Sequence, residues 1–68
     1  MPALPALTRA LHDHDRFVRW SAVRTVGQLG PAAAPQTLSS LTQLLDDPDA
    51  ELRKAAADAL ERLRSPTR

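Results

Sequence analysis

The chain has 68 residues, a formal net charge of +1 and no cysteine. A chain of this length forms at most one small domain, and the lack of cysteine excludes disulfides and a thiolate metal site as stabilising elements. The nearly balanced charge does not favour a nucleic acid or a membrane surface as the partner. No apolar run approaches the roughly 20 residues that cross a bilayer, and no signal peptide is recognisable, so we expect a soluble cytoplasmic protein.

Alanine and leucine dominate the composition, which favours helices over strands. Leu4, Leu7 and Leu11 recur at steps of three and four residues and predict a first helix. A second helix is predicted from the spacing of Val18, Ala22, Thr25, Val26 and Leu29. Gly30 and Pro31 end this helix, because glycine accepts a left-handed cap and proline cannot continue a helix.

The second half of the chain repeats the first at an offset of 34 residues. The residues that recur unchanged at this offset are Leu4, Leu7, Thr8, Leu11, Asp13, Asp15, Arg19, Ala22 and Leu29. Two further helices are predicted from two apolar series: Leu38, Leu41, Leu44 and Leu45, then Leu52, Ala56, Ala59, Leu60 and Leu63. The sequence therefore predicts one all-α domain over residues 1–68, with repeat one at 2–30, a linker at 31–36 and repeat two at 37–65.

Residues 12–15, HDHD, have two interpretations. Two histidines and two aspartates suggest a metal site, but a stable site needs three or four converging ligands. Repeat two has DDPD at the same place, and short carboxylates just before a helix favour a capped turn. We therefore predict that Asp15 and Asp49 cap the second helices, that Asp13 and Asp47 form the tight turn before them, and that no metal or cofactor is bound.

Both repeats carry one longer pattern, in which the turn aspartates are followed by an arginine and a series of small and apolar residues. Repeat one spells it with Leu11, Asp13, Asp15, Val18, Arg19, Ala22, Val23, Val26, Gly27, Leu29 and Gly30. This pattern resembles a HEAT repeat and is similar to the short bacterial type also found in phycobilin lyase subunits. The resemblance covers nearly the whole chain and implies an α-solenoid of two helix–turn–helix repeats. Repeat two departs from it, because Glu61 and Arg64 replace the two glycines, so the last helix is expected to run on to about Ser65.

The resemblance also implies roles for charged residues. In HEAT repeats, the turn aspartate and an arginine near the start of the second helix form a ladder of contacts between successive repeats. Arginine suits this role because its planar guanidinium binds carboxylates and carbonyls together. Carried over to this chain, the ladder arginines are Arg19 and Arg53, and their partners are Asp13, Asp15, Asp47 and Asp49.

One side of the second helix is expected to face solvent. With the core side set by Val18, Ala22, Thr25 and Leu29, helical geometry places on the opposite side Phe17, Trp20, Arg24 and Gln28. Exposed tryptophan and arginine are typical anchors of protein interfaces, so we predict a partner-binding or oligomer surface here. The alternative interpretation is that Phe17 and Trp20 fold over Leu11 and fill a gap at the N-terminal end.

Two repeats leave two open ends, since a unit of this kind cannot bury its faces alone. The residues expected at these ends are Leu4, Leu7 and Val23 on one side, and Ala55, Ala59 and Leu63 on the other. Their apolar character favours self-association, by head-to-tail stacking or through a two-fold dimer.

The function predicted from the sequence is a non-catalytic protein–protein interaction scaffold that self-associates into a larger solenoid or ring. One alternative is a nucleic-acid-binding HEAT-like module, which the mixed charge of repeat two disfavours. Another is a fragment of a longer HEAT-repeat protein, such as a lyase-associated subunit. An enzyme is not expected, because the sequence shows no spacing of nucleophile, base and acid and no glycine-rich phosphate loop.

Overall fold

The computed structural model describes residues 3–33 and 35–64, and in the first of these segments it describes side chains from residue 5 onward. The described elements are α1 (Ala3–Ala10), α2 (Arg16–Leu29), a 3₁₀ helix (Gly30–Ala33), α3 (Leu38–Leu44) and α4 (Ala50–Arg64). No strand occurs in these two ranges, so the predicted all-α fold with two helix–turn–helix units is confirmed. The contribution expected of Leu4, and the end of the last helix near Ser65, lie outside the described side chains and residues.

One hydrophobic core lies between the two units. Packing between helices is most extensive where α2 lies against α4, while α1 packs on α2 and α3 packs on α4. The core side chains are Leu11, Ala22, Val23, Val26, Ala33, Leu41, Leu44, Leu52, Ala56, Ala59 and Leu63. Because both units contribute to this core, each unit is stabilised by the apolar surface of the other.

The linker between the units is packed rather than loose. Gly30 has a φ of +64°, a conformation that favours glycine, and its N–H donates to the Val26 carbonyl to end α2. The 3₁₀ helix that follows buries Ala33. The buried Thr37 hydroxyl donates to the Ala33 carbonyl at 3.0 Å, so the start of repeat two is held to the linker. The linker therefore contributes to the position of one repeat relative to the other.

The face of α2 that enters the core differs from the one predicted. The buried residues are Ala22, Val23, Val26 and Gly27, whereas Val18 and Leu29 are 38% and 44% exposed. The prediction was wrong because Val18 and Leu29 were assigned to the core and Val23 to an open end. In a stacked repeat the helix has a second apolar side, which faces the next repeat along the stack.

The open ends therefore have a different composition from the one expected. Val23, Ala59 and Leu63 belong to the core between the repeats rather than to the ends. Leu7 and Ala55 are partly buried against that core. The apolar surface left at the N-terminal end is instead contributed mainly by Val18 and Leu29.

Substitution by alanine is expected to change the free energy of unfolding in opposite directions at Gly27, which lies within α2, and at Gly30, which is its C-cap. A Cβ at position 27 would lie 3.7 Å from the Ala59 Cβ, an ordinary contact, and alanine is the better helix former. We expect Gly27→Ala to raise the free energy of unfolding by about 0.5–1 kcal/mol. Gly30→Ala should lower it by about 1 kcal/mol or more, because alanine is strained at a φ of +64°. Urea unfolding followed by circular dichroism measures both, and a destabilised Gly27→Ala would contradict the described spacing of α2 and α4.

Candidate protein-interaction surfaces

The two inter-helix turns are built in the same way. In repeat one, the Asp15 Oδ1 accepts from the Phe17 backbone N–H at 2.8 Å and so caps α2. The Asp13 Oδ1 accepts from the Asp15 N–H at 2.9 Å and closes the turn before it. Asp47 and Asp49 make the same two bonds in repeat two, at 2.9 Å each. Each short carboxylate satisfies an N–H that the first turn of a helix leaves free.

One arginine in each repeat binds the turn that precedes its helix. The Arg19 Nη1 donates to the carbonyls of Asp13 at 2.8 Å and His14 at 3.0 Å. The Arg53 Nη1 donates to the carbonyl of Asp47 at 2.7 Å and to that of the following residue at 3.2 Å. The two guanidinium groups are therefore held in equivalent positions, one in each repeat.

Two ion pairs join the repeats. The Arg19 Nε lies 3.3 Å from the Asp47 Oδ2, and both side chains are largely buried. Its geometry is that of an ion pair rather than an aligned hydrogen bond. The Arg16 Nε lies 3.0 Å from the Asp49 Oδ2 in a more exposed contact. Arg53 makes no ion pair with another described residue, and the structure describes no third repeat beside it.

One histidine of the first turn, His12, makes a contact between the two repeats. The His12 Nε2 lies 2.9 Å from the Ser40 Oγ of α3, a hydrogen bond that joins the turn of repeat one to repeat two. Within residues 3–33 and 35–64, no group of three or more histidine, cysteine, aspartate or glutamate residues is placed to hold a metal ion. The sequence pattern did not indicate the bond from His12, because the aligned position in repeat two is an aspartate.

The two aromatic residues lie together in a cleft between the repeats. Phe17 is 71% exposed and Trp20 is 39% exposed. The residues that line this cleft are Arg16, Phe17, Trp20, Asp49, Glu51 and Leu52. The Arg16 guanidinium lies 5.4 Å from the centre of the Phe17 ring, and that of Arg24 lies 5.2 Å from the centre of the Trp20 ring. Both rings are therefore accessible and carry a stacked cation.

The remaining predicted surface residues lie in a neighbouring groove. Arg24 and Gln28 line one side of it, and the α4 residues Asp58 and Arg62 line the other. The structure thus brings Phe17 and Trp20 into one cleft and joins Arg24 to them through its stacking on Trp20. Gln28 lies outside the cleft, on the groove side of α2.

One set of equivalent positions is buried in repeat two but, except at Ala22, at least partly exposed in repeat one, and we call these positions of repeat one the N-terminal face. The residues of this face are Leu7, Ala10, Val18, Ala22, Thr25 and Leu29. The six residues at the same positions of repeat two are all buried: Leu41, Leu44, Leu52, Ala56, Ala59 and Leu63. On the N-terminal face only Ala22 is buried, because no repeat precedes repeat one in the structure.

At the opposite end, which we call the C-terminal face, the residues of repeat two are exposed and most of their counterparts in repeat one are buried. Its residues are Leu45, Arg53, Ala57, Leu60 and Glu61, and all are at least partly exposed. Their counterparts in repeat one lie against repeat two, and Leu11, Val23, Val26 and Gly27 among them are buried. A side chain at Gly27 would lie 3.7 Å from the Ala59 Cβ and the Arg62 Cδ, whereas the counterpart of this glycine is the charged Glu61. The two ends thus differ in shape and in charge.

A family model described as HEAT repeats matches residues 1–61. No curated protein and no solved structure gives a significant match. Repeats of this family generally mediate protein–protein interaction. Among the described helices, none is both long enough and apolar enough to cross a membrane.

The ion pair of Arg19 is expected to contribute to stability beyond its bonds to the turn. Arg19→Lys should lower the free energy of unfolding by about 1–2 kcal/mol, because a lysine ammonium cannot bind two carbonyls and the Asp47 carboxylate in the same fixed geometry. Arg53→Lys is the matched control, since Arg53 has the same two carbonyl bonds without the ion pair. Urea titrations at a protein concentration where the chain is monomeric compare the two. Equal losses would mean that the Arg19–Asp47 pair adds nothing.

Proposed function

Because the chain belongs to the HEAT repeat family, we propose that it is a non-catalytic scaffold for protein–protein interaction that self-associates through its two end faces into a larger solenoid or ring. The observation that carries this proposal is the difference in burial between equivalent positions. Val18 and Leu29 are 38% and 44% exposed, while Leu52 and Leu63 at the same positions of repeat two are buried. The N-terminal face has the residues of a packing surface and lacks its cover.

The energetics support the same proposal. A 68-residue chain buries a smaller fraction of its surface than a larger domain does, and repeat stacks gain stability with each added neighbour. Full burial of one large aliphatic side chain contributes about 1.5–3 kcal/mol. Val18 and Leu29 are already more than half buried and Leu7 is partly buried, so covering the three would add a part of this value for each. The same cover would be provided by preceding repeats if the chain is part of a longer HEAT-repeat protein.

The aromatic cleft is the second proposed docking surface. Phe17 and Trp20 present accessible rings beside Arg16 and Arg24, and tryptophan and arginine are among the residue types that most often anchor protein interfaces. Phe17 also borders a groove on the N-terminal face, so the cleft is continuous with the proposed contact between copies. A partner bound at Phe17, Trp20, Arg24 and Gln28 would therefore lie at the edge of that contact.

A scaffold agrees better with the polar groups than catalysis or nucleic-acid binding does. The turn carboxylates of both repeats accept backbone hydrogen bonds, and Arg19 and Arg53 bind carbonyls. These groups are used for folding rather than held free around a pocket. Three of the arginines are matched by carboxylates, which weakens any basic surface for phosphates. Arg16 pairs with Asp49, Arg19 with Asp47 and Arg62 with Asp58. We propose that this scaffold works in the cytoplasm.

Self-association is expected to depend on the N-terminal face. Light scattering behind a sizing column, over about a hundredfold dilution, should show a multimer that dissociates by mass action. Val18→Glu should shift it to monomer, because the new carboxylate would be buried without a partner. Ser39→Glu, an exposed position on α3, is the matched control and should behave as the unmodified chain. An unmodified chain that is monomeric at every concentration would contradict the proposed self-association.

Trp20 offers a separate test of the aromatic cleft. Trp20→Ala should leave helicity nearly unchanged, because the side chain is 39% exposed and lies outside the core cluster. Self-association of the chain should weaken about tenfold, which is the effect of removing an aromatic anchor from an interface. Circular dichroism measures helicity and light scattering measures association, and Trp20→Phe serves as a control that keeps a ring. An unfolded Trp20→Ala variant would mean that Trp20 is part of the core.

A further inference from the structure

We propose that copies of this chain stack head to tail in the register that already joins repeat one to repeat two, so that Arg53 of one copy pairs with Asp13 of the next. This inference rests on the proposed self-association and specifies its contact. It commits to one partner, a second copy of this chain, and to one orientation. The evidence is the charge that each end face presents at the positions of the internal contact.

The ladder residues provide the first line of evidence. Within the chain, the Arg19 Nε pairs with the Asp47 Oδ2, and an offset of one repeat carries this pair to Arg53 and to Asp13 of the next copy. Arg53 is already oriented by two carbonyls of its own turn, as Arg19 is. The Asp13 Oδ1 is occupied by its turn in the same way as that of Asp47, and Asp13 has no ion pair with another described residue. A cation and an anion, neither in an ion pair with a described residue, therefore stand at matching positions of opposite ends.

The aromatic cleft provides the second line of evidence, because different residues occupy the equivalent positions of the two repeats there. Inside the chain this cleft brings Trp20 together with Asp49. At the contact between copies, the same positions are Lys54 and Asp15 of the next copy. Ala50 replaces Arg16, so the Arg16–Asp49 pair has no counterpart, but Lys54 supplies a cation one turn further along α4. In this register the positive charge of Lys54 therefore faces Asp15 of the next copy, in addition to the pair between Arg53 and Asp13.

The groove between α2 and α4 provides the third line of evidence. Gly27 approaches Ala59 and Arg62 inside the chain, so Glu61 at the contact between copies would meet Thr25 and Gln28 of the next copy. A carboxylate would be unfavourable against an apolar side chain, but the Gln28 amide can donate to it. Thr25 of the N-terminal face and Gln28 beside it therefore offer polar groups where Glu61 of the C-terminal face would lie.

The orientation follows from where the charges lie. Arg53 is on the C-terminal face and Asp13 is at the N-terminal face, so only a contact between unlike faces joins them. A two-fold contact uses one face twice and leaves the charges of the other unmatched. A head-to-tail contact is heterologous, and it continues until a ring closes or a filament forms.

Charge exchange tests this register. Asp13→Lys and Arg53→Glu should each weaken association about tenfold, because each places like charges at the contact. The double variant, and an equimolar mixture of the two single variants, should both recover association, since each restores opposite charges between copies. Sedimentation velocity measures the association and circular dichroism checks the fold. Recovery in the mixture is the decisive result, because no single chain in it has been repaired.

Both of these substitutions remove turn hydrogen bonds, so a second pair avoids the turns. Gln28→Glu should weaken association by placing a carboxylate against Glu61 of the neighbouring copy, and adding Glu61→Arg to it should restore association; both side chains are exposed. A chain that self-associates without responding to either pair, or without recovery in the mixture, overturns the head-to-tail register and leaves self-association intact. A monomeric unmodified chain overturns both proposals.

Discussion

The position of one repeat relative to the other depends on the guanidinium of Arg19. It binds two carbonyls of the turn in its own repeat and lies 3.3 Å from the Asp47 carboxylate of the next. Asp13 closes that turn and Asp15 caps the helix after it, so a well-defined loop orients the arginine before it meets its partner. The largely buried charge of Arg19 is compensated by the two carbonyls that accept from its Nη1 and by the Asp47 carboxylate, although its Nε makes an ion pair and no aligned hydrogen bond. Because the turn orients the guanidinium, this one side chain joins the turn of its own repeat to the turn of the next.

The sequence predicted the fold well because the same short unit occurs twice. Two alignable copies showed which apolar positions recur, and Asp15 and Asp49 marked where the second helix of each unit begins. The assignment of α2 faces failed for a physical reason. Periodicity finds an apolar stripe but cannot separate the side that faces the preceding repeat from the side that faces the following one. Val18 and Val23 are both apolar, yet only Val23 is buried, because only its side has a neighbour.

The candidate surfaces were predictable in part. Exposure of Phe17 and Trp20 followed from helical geometry, but the cleft that unites them with Asp49 depends on how the second repeat is placed. The Arg16–Asp49 and His12–Ser40 contacts were missed, since neither recurs in the alignment of the two repeats. Contacts that differ between repeats cannot be inferred from what the repeats share. They depend on the placement of the helices in space.

These differences between repeats would determine the strength of the proposed contact between copies. The internal contact has two inter-repeat ion pairs and a glycine where α2 approaches α4. The contact between copies would keep the ladder pair but would have Ala50 in place of Arg16 and Glu61 in place of Gly27. The covalent linker also gives the internal contact a high effective concentration, which the contact between copies lacks. In the proposed assembly, stacking between copies would therefore be weaker than stacking within one copy, so each chain would remain a folded unit while the assembly would respond to concentration and to salt.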